Sequence, residues 1–268
     1  MFEETRQQRC APMKQDVPTS KGDVAVRQSV PKLKLFEGWK DVVKTGRALR
    51  KQGILNTLRL VFNIPIDRRF DRACGIETCG VIQLSELAIG SKDKESGIEY
   101  VGTHVTVFRS LMAMMPQDLC EYVFVDYGSG EGRVLFLASQ YNFKKIIGIE
   151  FSEELHEHAR KNLESYQNEN QKCSDIELVC ANARDFVIPN EKCIIYFFNP
   201  FKEPLFSSVL KKIEACYQMN PRTLYFIYNN PVQRHAICNL KFMRRVQIRN
   251  LLISITSPHK AAIYRSQP

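Results

Sequence analysis

From residue 122 onward, short apolar runs alternate with segments whose apolar residues recur every three to four positions. The runs predict strands at 122–126, 145–150, 175–180, 193–198 and 223–228, and the periodic segments predict helices at 131–141, 153–168 and 203–217. Glu153 and Glu154 suit the positive end of the helix they open. Strand–helix alternation predicts a parallel sheet wound with right-handed crossovers. The segments 246–256 and 260–265, joined by Ser257-Pro258-His259, read as a terminal antiparallel hairpin.

Upstream the pattern changes. Residues 1–30 are polar and aperiodic, with little to bury, and predict a disordered basic tail. Residues 33–62 show helical spacing at Leu35, Trp39, Val42, Val43, Ala48, Ile54, Leu58 and Val61, with basic residues between and a break expected at Gly53. Residues 67–90 look like an irregular connector, and 97–103 lead into a helix near 105–115. The expected organisation is a tail (1–30), a helical extension with connector (31–96) and a catalytic domain (97–268).

The most informative stretch joins the first of these strands to its helix: Val123-Phe-Val-Asp-Tyr-Gly-Ser-Gly-Glu-Gly-Arg133. Gly128, Gly130 and Gly132 strip side chains from a sharp turn whose N–H groups are free to meet a ligand. The dinucleotide fingerprint needs G-x-G-x-x-G, and its third glycine would fall at Arg133, where a side chain obstructs helix–strand packing. No Lys-Ser or Lys-Thr follows, so a phosphate loop is absent as well. Asp126 at the strand end would repel a pyrophosphate but pair with an ammonium group. That chemistry suggests a zwitterionic, amino-acid-like cofactor carrying a nucleoside.

The apolar-apolar-Asp-x-Gly-x-Gly-x-Gly pattern resembles motif I of the class I S-adenosylmethionine (SAM) dependent methyltransferases. Three later segments follow in that family's order. Ile146-Ile-Gly-Ile-Glu150 is a second strand ending in an acid, 24 residues after Asp126. The resemblance implies that Glu150 accepts hydrogen bonds from the ribose hydroxyls. Leu178-Val-Cys-Ala-Asn-Ala183 resembles the segment that reads the adenine edge, which assigns Asn182 and the backbone of Ala183 to that role. The family's usual aspartate is replaced by Asn182, so the contact loses its charge assistance. Asn199-Pro200-Phe201 is similar to the (Asp/Asn/Ser)-Pro-Pro-(Tyr/Phe) motif of enzymes that methylate nitrogen, but lacks the second proline. The resemblance gives Asn199 and Pro200 the role of accepting hydrogen bonds from the target amine, with the Phe201 ring nearby. Gly97-Ile-Glu-Tyr-Val-Gly-Thr103 is similar to a loop that folds over the methionine part of the cofactor, which brings in Tyr100 and Thr103. The likeness covers roughly residues 97 to 265 and implies a Rossmann-like α/β fold, mostly parallel with an antiparallel C-terminal hairpin and helices on both faces.

Composition narrows the remainder. At 268 residues and 44% hydrophobic, the chain can bury one sizeable core with an appendage. No apolar run approaches the roughly 18 residues of a membrane span. The first residues lack a signal-peptide pattern, and nine cysteines without a C-x-x-C pair suggest a reducing, cytoplasmic setting. His156 and His158, two apart on a helix, do not form a metal pair, and no other metal-ligand spacing occurs. Residues 1–70 carry 15 basic and 7 acidic residues, and 221–268 carry 8 basic and none acidic, so the middle is net negative. The basic ends leave open a solvated face or contact with nucleic acid, anionic lipid or an acidic protein. The expected activity is methyl transfer from SAM, with a nitrogen of a protein side chain or small molecule favoured as acceptor. A nucleic-acid methyltransferase and a SAM-binding module without catalysis remain alternatives.

Overall fold

The structure, a computed structural model, describes residues 37–82, 100–247 and 256–267. The expected tail, most of the connector beyond residue 82 and most of the segment 246–256 lie outside the described residues. The chain divides between Lys44 and Thr45, and the packing below concerns the compact unit from Thr45 onward.

Helix α1 spans Glu37–Cys74 and β1 spans Val81–Ile82; β2, Tyr100–Val101, pairs antiparallel with β1. Then follow α2 (Val105–Met112), β3 (Tyr122–Tyr127), α3 (Arg133–Ala138), β4 (Lys145–Glu150) and α4 (Glu153–Ser165). The chain continues through β5 (Ile176–Cys180), β6 (Lys192–Phe198), α5 (Leu205–Met219) and β7 (Leu224–Asn229). It ends with α6 (Arg234–Cys238), β8 (Met243–Val246) and β9 (Ala261–Ser266).

Seven strands form the main sheet in the order β5-β4-β3-β6-β7-β9-β8. The first five are parallel, and β9 inserts antiparallel between β7 and β8. Order reverses at β3, where Val125 pairs with Ile147 on one side and Ile195 on the other. Alternate residues of the central strands feed two cores. Val123, Val125, Ile195 and Phe197 face the layer containing α5 and α6. Phe124, Ile194 and Tyr196 face the layer containing α2 and α3, joined there by Phe70 and Cys74 from the end of α1. Burial on both faces explains the continuous apolar runs. Asp126 belongs, by alternation, to the second face.

Some expectations need correction. Gly53 does not break the N-terminal helix, and residues 67–74 are helix, not connector: α1 runs unbroken through Gly53 and Pro65. Proline removes one intrahelical donor, but tertiary anchors hold this turn, since Asn63, Asp67, Phe70, Asp71 and Cys74 are all buried along one face. The described strand that pairs with β9 on the side away from β7 is Met243–Val246, which follows a short helix, α6, that the pattern did not reveal. Helix α3 is shorter than expected because the glycine turn extends to Gly132, its left-handed N-cap.

Candidate cofactor and acceptor site

Past the end of β3 the chain is held to β4 by its backbone. Gly128 and Ser129 N–H both donate to the Ile149 carbonyl, at 2.8 and 3.0 Å. The Glu150 carboxylate folds onto the same turn: Gly130 N–H donates to one oxygen at 2.9 Å, and Phe151 and Ser152 N–H donate to the other at 3.0 and 2.9 Å. Burial raises the pKa of Glu150, and these three donors oppose the rise. Ser152 also caps α4, its Oγ accepting from Leu155 N–H. The acid expected to hold a ribose is thus anchored by the loop it faces.

Asp126 is in a different state. It is buried, lines the cleft, and receives no hydrogen bond from the described residues. Burial, and then the neighbouring Glu150, push its pKa well above the usual carboxylate range. A cation arriving in the cleft would relieve both causes.

Two glycines are explained by contact. A methyl at Gly130, where φ is +53°, would stand 2.2 Å from the Tyr100 ring, which lies on the turn. A methyl at Gly128, φ +81°, would stand 2.8 Å from Pro200 Cβ. The donor loop therefore touches both the β2 loop and the Asn199-Pro200 turn. Thr103 is buried, with its hydroxyl 2.9 Å from the Tyr196 hydroxyl, which also accepts from Asn229 Nδ2 at 3.2 Å.

Asn199 ends β6 in the left-handed region, φ +43°, and its Oδ1 accepts from the Tyr228 hydroxyl at 3.4 Å. Gln233 Nε2 donates to the Phe201 carbonyl at 2.5 Å and fixes the following turn. Tyr228 is fully buried and supports Asn199 from behind. Behind Phe198 stands His259, ring centroids 5.7 Å apart, its pKa lowered by burial and by nearby His104.

One cleft thus gathers Tyr100, Thr103, Asp126, Gly128, Glu150 and the Asn199–Phe201 turn. Gly130 lies under Tyr100, and Gly132 caps α3 away from the cleft lining. Asn182 and Ala183 do not line it either. Asn182 Oδ1 accepts from Arg184 N–H and Nε–H at 3.2 and 3.1 Å, and Ala183 is buried in the core. Sequence reasoning missed Tyr196, which shares the Asp126 face of the sheet by register, and Arg133, whose buried side chain lines the cleft wall. The open volume is about 60 Å³, below the roughly 300–1,000 Å³ of small-molecule sites, and the Tyr100 ring is part of its lining.

Residues 124–218 match the family model described as a methyltransferase domain. No curated protein matches the chain. Among solved structures, an RNA methyltransferase from Salinibacter ruber with S-adenosyl-L-homocysteine is 19% identical, covering 60% of this chain and 88% of that one, TM-score 0.37. The methyltransferase domain of a bacterial Hen1 is 16% identical, covering 61% and 98%, TM-score 0.44. The ribosomal protein L11 methylase of Lactobacillus delbrueckii subsp. bulgaricus is 11% identical, covering 60% and 76%, TM-score 0.39. Strand order and glycine turn give the described sheet the class I methyltransferase fold, and residues 124–218 within it are those that match the methyltransferase domain. A methyltransferase domain implies SAM as methyl donor, and the residues present fit that group: a cleft-facing carboxylate without a donor at Asp126 suits an amino-acid ammonium, and Glu150 follows on the adjacent strand.

Proposed function

We propose that the protein catalyses SAM-dependent methylation of a nitrogen on a small molecule or protein side chain. The observation that carries this reading is the contact of Gly128 with Pro200, which sets the Asn199 turn directly against the donor loop. When bound, SAM supplies an activated methyl on a sulfonium sulfur. Asp126 holds the ammonium end, Glu150 the ribose, and Tyr100 with Thr103 closes over the amino-acid portion. Asn199 Oδ1 and the Pro200 carbonyl accept hydrogen bonds from the acceptor amine, so its remaining lone pair faces the methyl carbon. SAM held by Asp126 and Glu150 would supply the methyl to that nitrogen and leave as S-adenosylhomocysteine, and the acceptor would release one proton. The chain's contribution is alignment and exclusion of water rather than acid–base chemistry. Pro200 and the buried Phe201 wall the acceptor side. A protein that only bound the cofactor has no use for a polar group in a strained backbone conformation at this position.

The test is calorimetric titration with S-adenosylhomocysteine and NAD in parallel, followed by a radiolabelled-methyl screen against lysate fractions. Binding of S-adenosylhomocysteine alone supports the reading, and binding of NAD alone overturns it.

A further inference from the structure

Beside the cofactor cleft lies a second cavity, much larger, at about 780 Å³. It opens at the carboxyl end of the parallel strands. There Asn229 pairs with Ala261, and Asn230 N–H donates to the Lys260 carbonyl at 2.9 Å. Arg59 of α1, Arg234 of α6, Arg245 of β8 and Lys260 line it, together with His259. No aspartate or glutamate is among the lining residues. Nor does the sequence hold any from residue 221 onward, which covers the three elements that build most of the cavity. Arg234, Arg245 and Lys260 have no acidic partner among the described residues. The lysines at the other end of the sheet are paired: Lys144 with Glu191, Lys145 with Glu177 and Lys192 with Glu121. Arg234, Arg245 and Lys260 on one concave surface, with no acidic partner among the described residues, concentrate positive potential, which an anion of matching size relieves.

The two cavities adjoin. Phe198 lines the cofactor cleft, His259 lines the basic cavity, and their rings are in contact. A molecule with a nitrogen at Asn199 and an anionic group one ring-pair away would span both.

We propose that the basic cavity binds a phosphate group of the methyl acceptor, and that the acceptor is a small phosphate-bearing molecule. This narrows the reading above and rests on it for the word acceptor. The volume falls within the roughly 300–1,000 Å³ of small-molecule sites, whereas a polynucleotide is followed by a groove that runs on beyond one such cavity. Arginine forks and a lysine at a shared anion are the arrangement that phosphate oxygens favour.

The experiment titrates the full chain with inorganic pyrophosphate and, separately, with a short single-stranded RNA, at several salt concentrations. Wild type is compared with R234Q/R245Q/K260Q, whose side chains are exposed, and with K144Q/K145Q/K192Q as a control of equal charge loss. Pyrophosphate binding should weaken about tenfold or more in the first variant and stay within about twofold in the control. S-adenosylhomocysteine affinity should be unchanged in both, since none of the six residues lines the cofactor cleft. Pyrophosphate that fails to bind wild type, or binds both variants equally, overturns the proposal. So does RNA binding tighter than pyrophosphate with a log–log salt slope near −0.7 for each of several phosphates, which marks a polynucleotide surface. If pyrophosphate binds as expected while S-adenosylhomocysteine does not bind wild type, the methyl-donor reading fails and the phosphate site stands.

Discussion

Arg133 Nη2 donates to both carboxylate oxygens of Asp71, at 3.1 Å each, with both side chains almost wholly buried. Asp71 stands in the last turns of α1, and Arg133 opens α3 directly after the glycine turn. Asp67, one helical turn before Asp71, lies 3.5 Å from Arg133 Nη1 and accepts from Val105 N–H at 2.9 Å. Its other oxygen meets His104 Nδ1 at 2.6 Å. Asp71 also accepts from Thr78 N–H and Oγ–H, at 2.8 and 2.9 Å. The arginine that excluded a dinucleotide loop is therefore the residue that ties α1 and the stretch after it to the cofactor turn.

Removing one partner of a buried pair strands the other, at a cost of about 3–5 kcal/mol. Asp71→Asn and Arg133→Met should each destabilise the domain by about that much, while the double variant should lose less than the sum by about 1 kcal/mol or more. Urea midpoints of the four proteins measure this. Strict additivity of the two losses would show that the pair carries no coupling.

This network also shows what the sequence hides. Strands β3, β4, β6 and β7 were legible within a residue or so because burial on both faces leaves unbroken apolar runs. The end of α1 was not, because the side chains it buries include Asn63, Asp67 and Asp71, so helical periodicity is present but is written in polar residues. Hydropathy cannot register a buried face built from ion pairs. At the site, Asp126, Gly128 and Glu150 were readable because motif spacing follows backbone geometry. Tyr196 was invisible, since its role depends on register with Asp126 across two strands.

Asp126 ties stability to pH with a definite sign. Its folded pKa is raised by burial and by Glu150, so the folded state keeps a proton that the unfolded chain releases near the ordinary value of about 3.9. The contribution is fully present below that value and is lost as pH rises through the folded pKa. Asp126→Asn should therefore melt above wild type at neutral pH, with the difference vanishing towards pH of about 4. Wild-type affinity for S-adenosylhomocysteine should rise with pH as Asp126 ionises to meet the ammonium group, and the variant should bind weakly with that dependence gone. Thermal melts and calorimetry across pH test both halves. A wild-type affinity that falls with rising pH would contradict the role given to Asp126.

Asn199 combines a strained backbone with a polar side chain, and two substitutions separate them. Asn199→Gly should relieve the φ of +43° and raise stability by about 0.5–1 kcal/mol, whereas Asn199→Ala keeps the strain. Both should leave S-adenosylhomocysteine affinity within about twofold and, once an acceptor is in hand, cut turnover by about 10²-fold, the scale for misplacing a reacting group. Full turnover in Asn199→Gly would show that only the backbone matters.

The ring of Tyr100 rests on Gly130 and lines a cleft of about 60 Å³, narrower than a nucleoside needs, and displacement of that ring on cofactor binding is the expected outcome. In stopped-flow mixing with excess S-adenosylhomocysteine, the observed rate should level off for wild type, because ring displacement becomes limiting at high concentration. Tyr100→Ala removes the obstacle, and its rate should stay linear over the same range. Gly130→Ala checks the contact itself: the new methyl meets the ring, so stability should fall by about 1–3 kcal/mol for the backbone strain and more for the clash. In Tyr100→Ala/Gly130→Ala the clash is gone, and the double variant should be more stable than the two single losses add up to. A linear wild-type rate together with an additive double variant would place Tyr100 off the cofactor path.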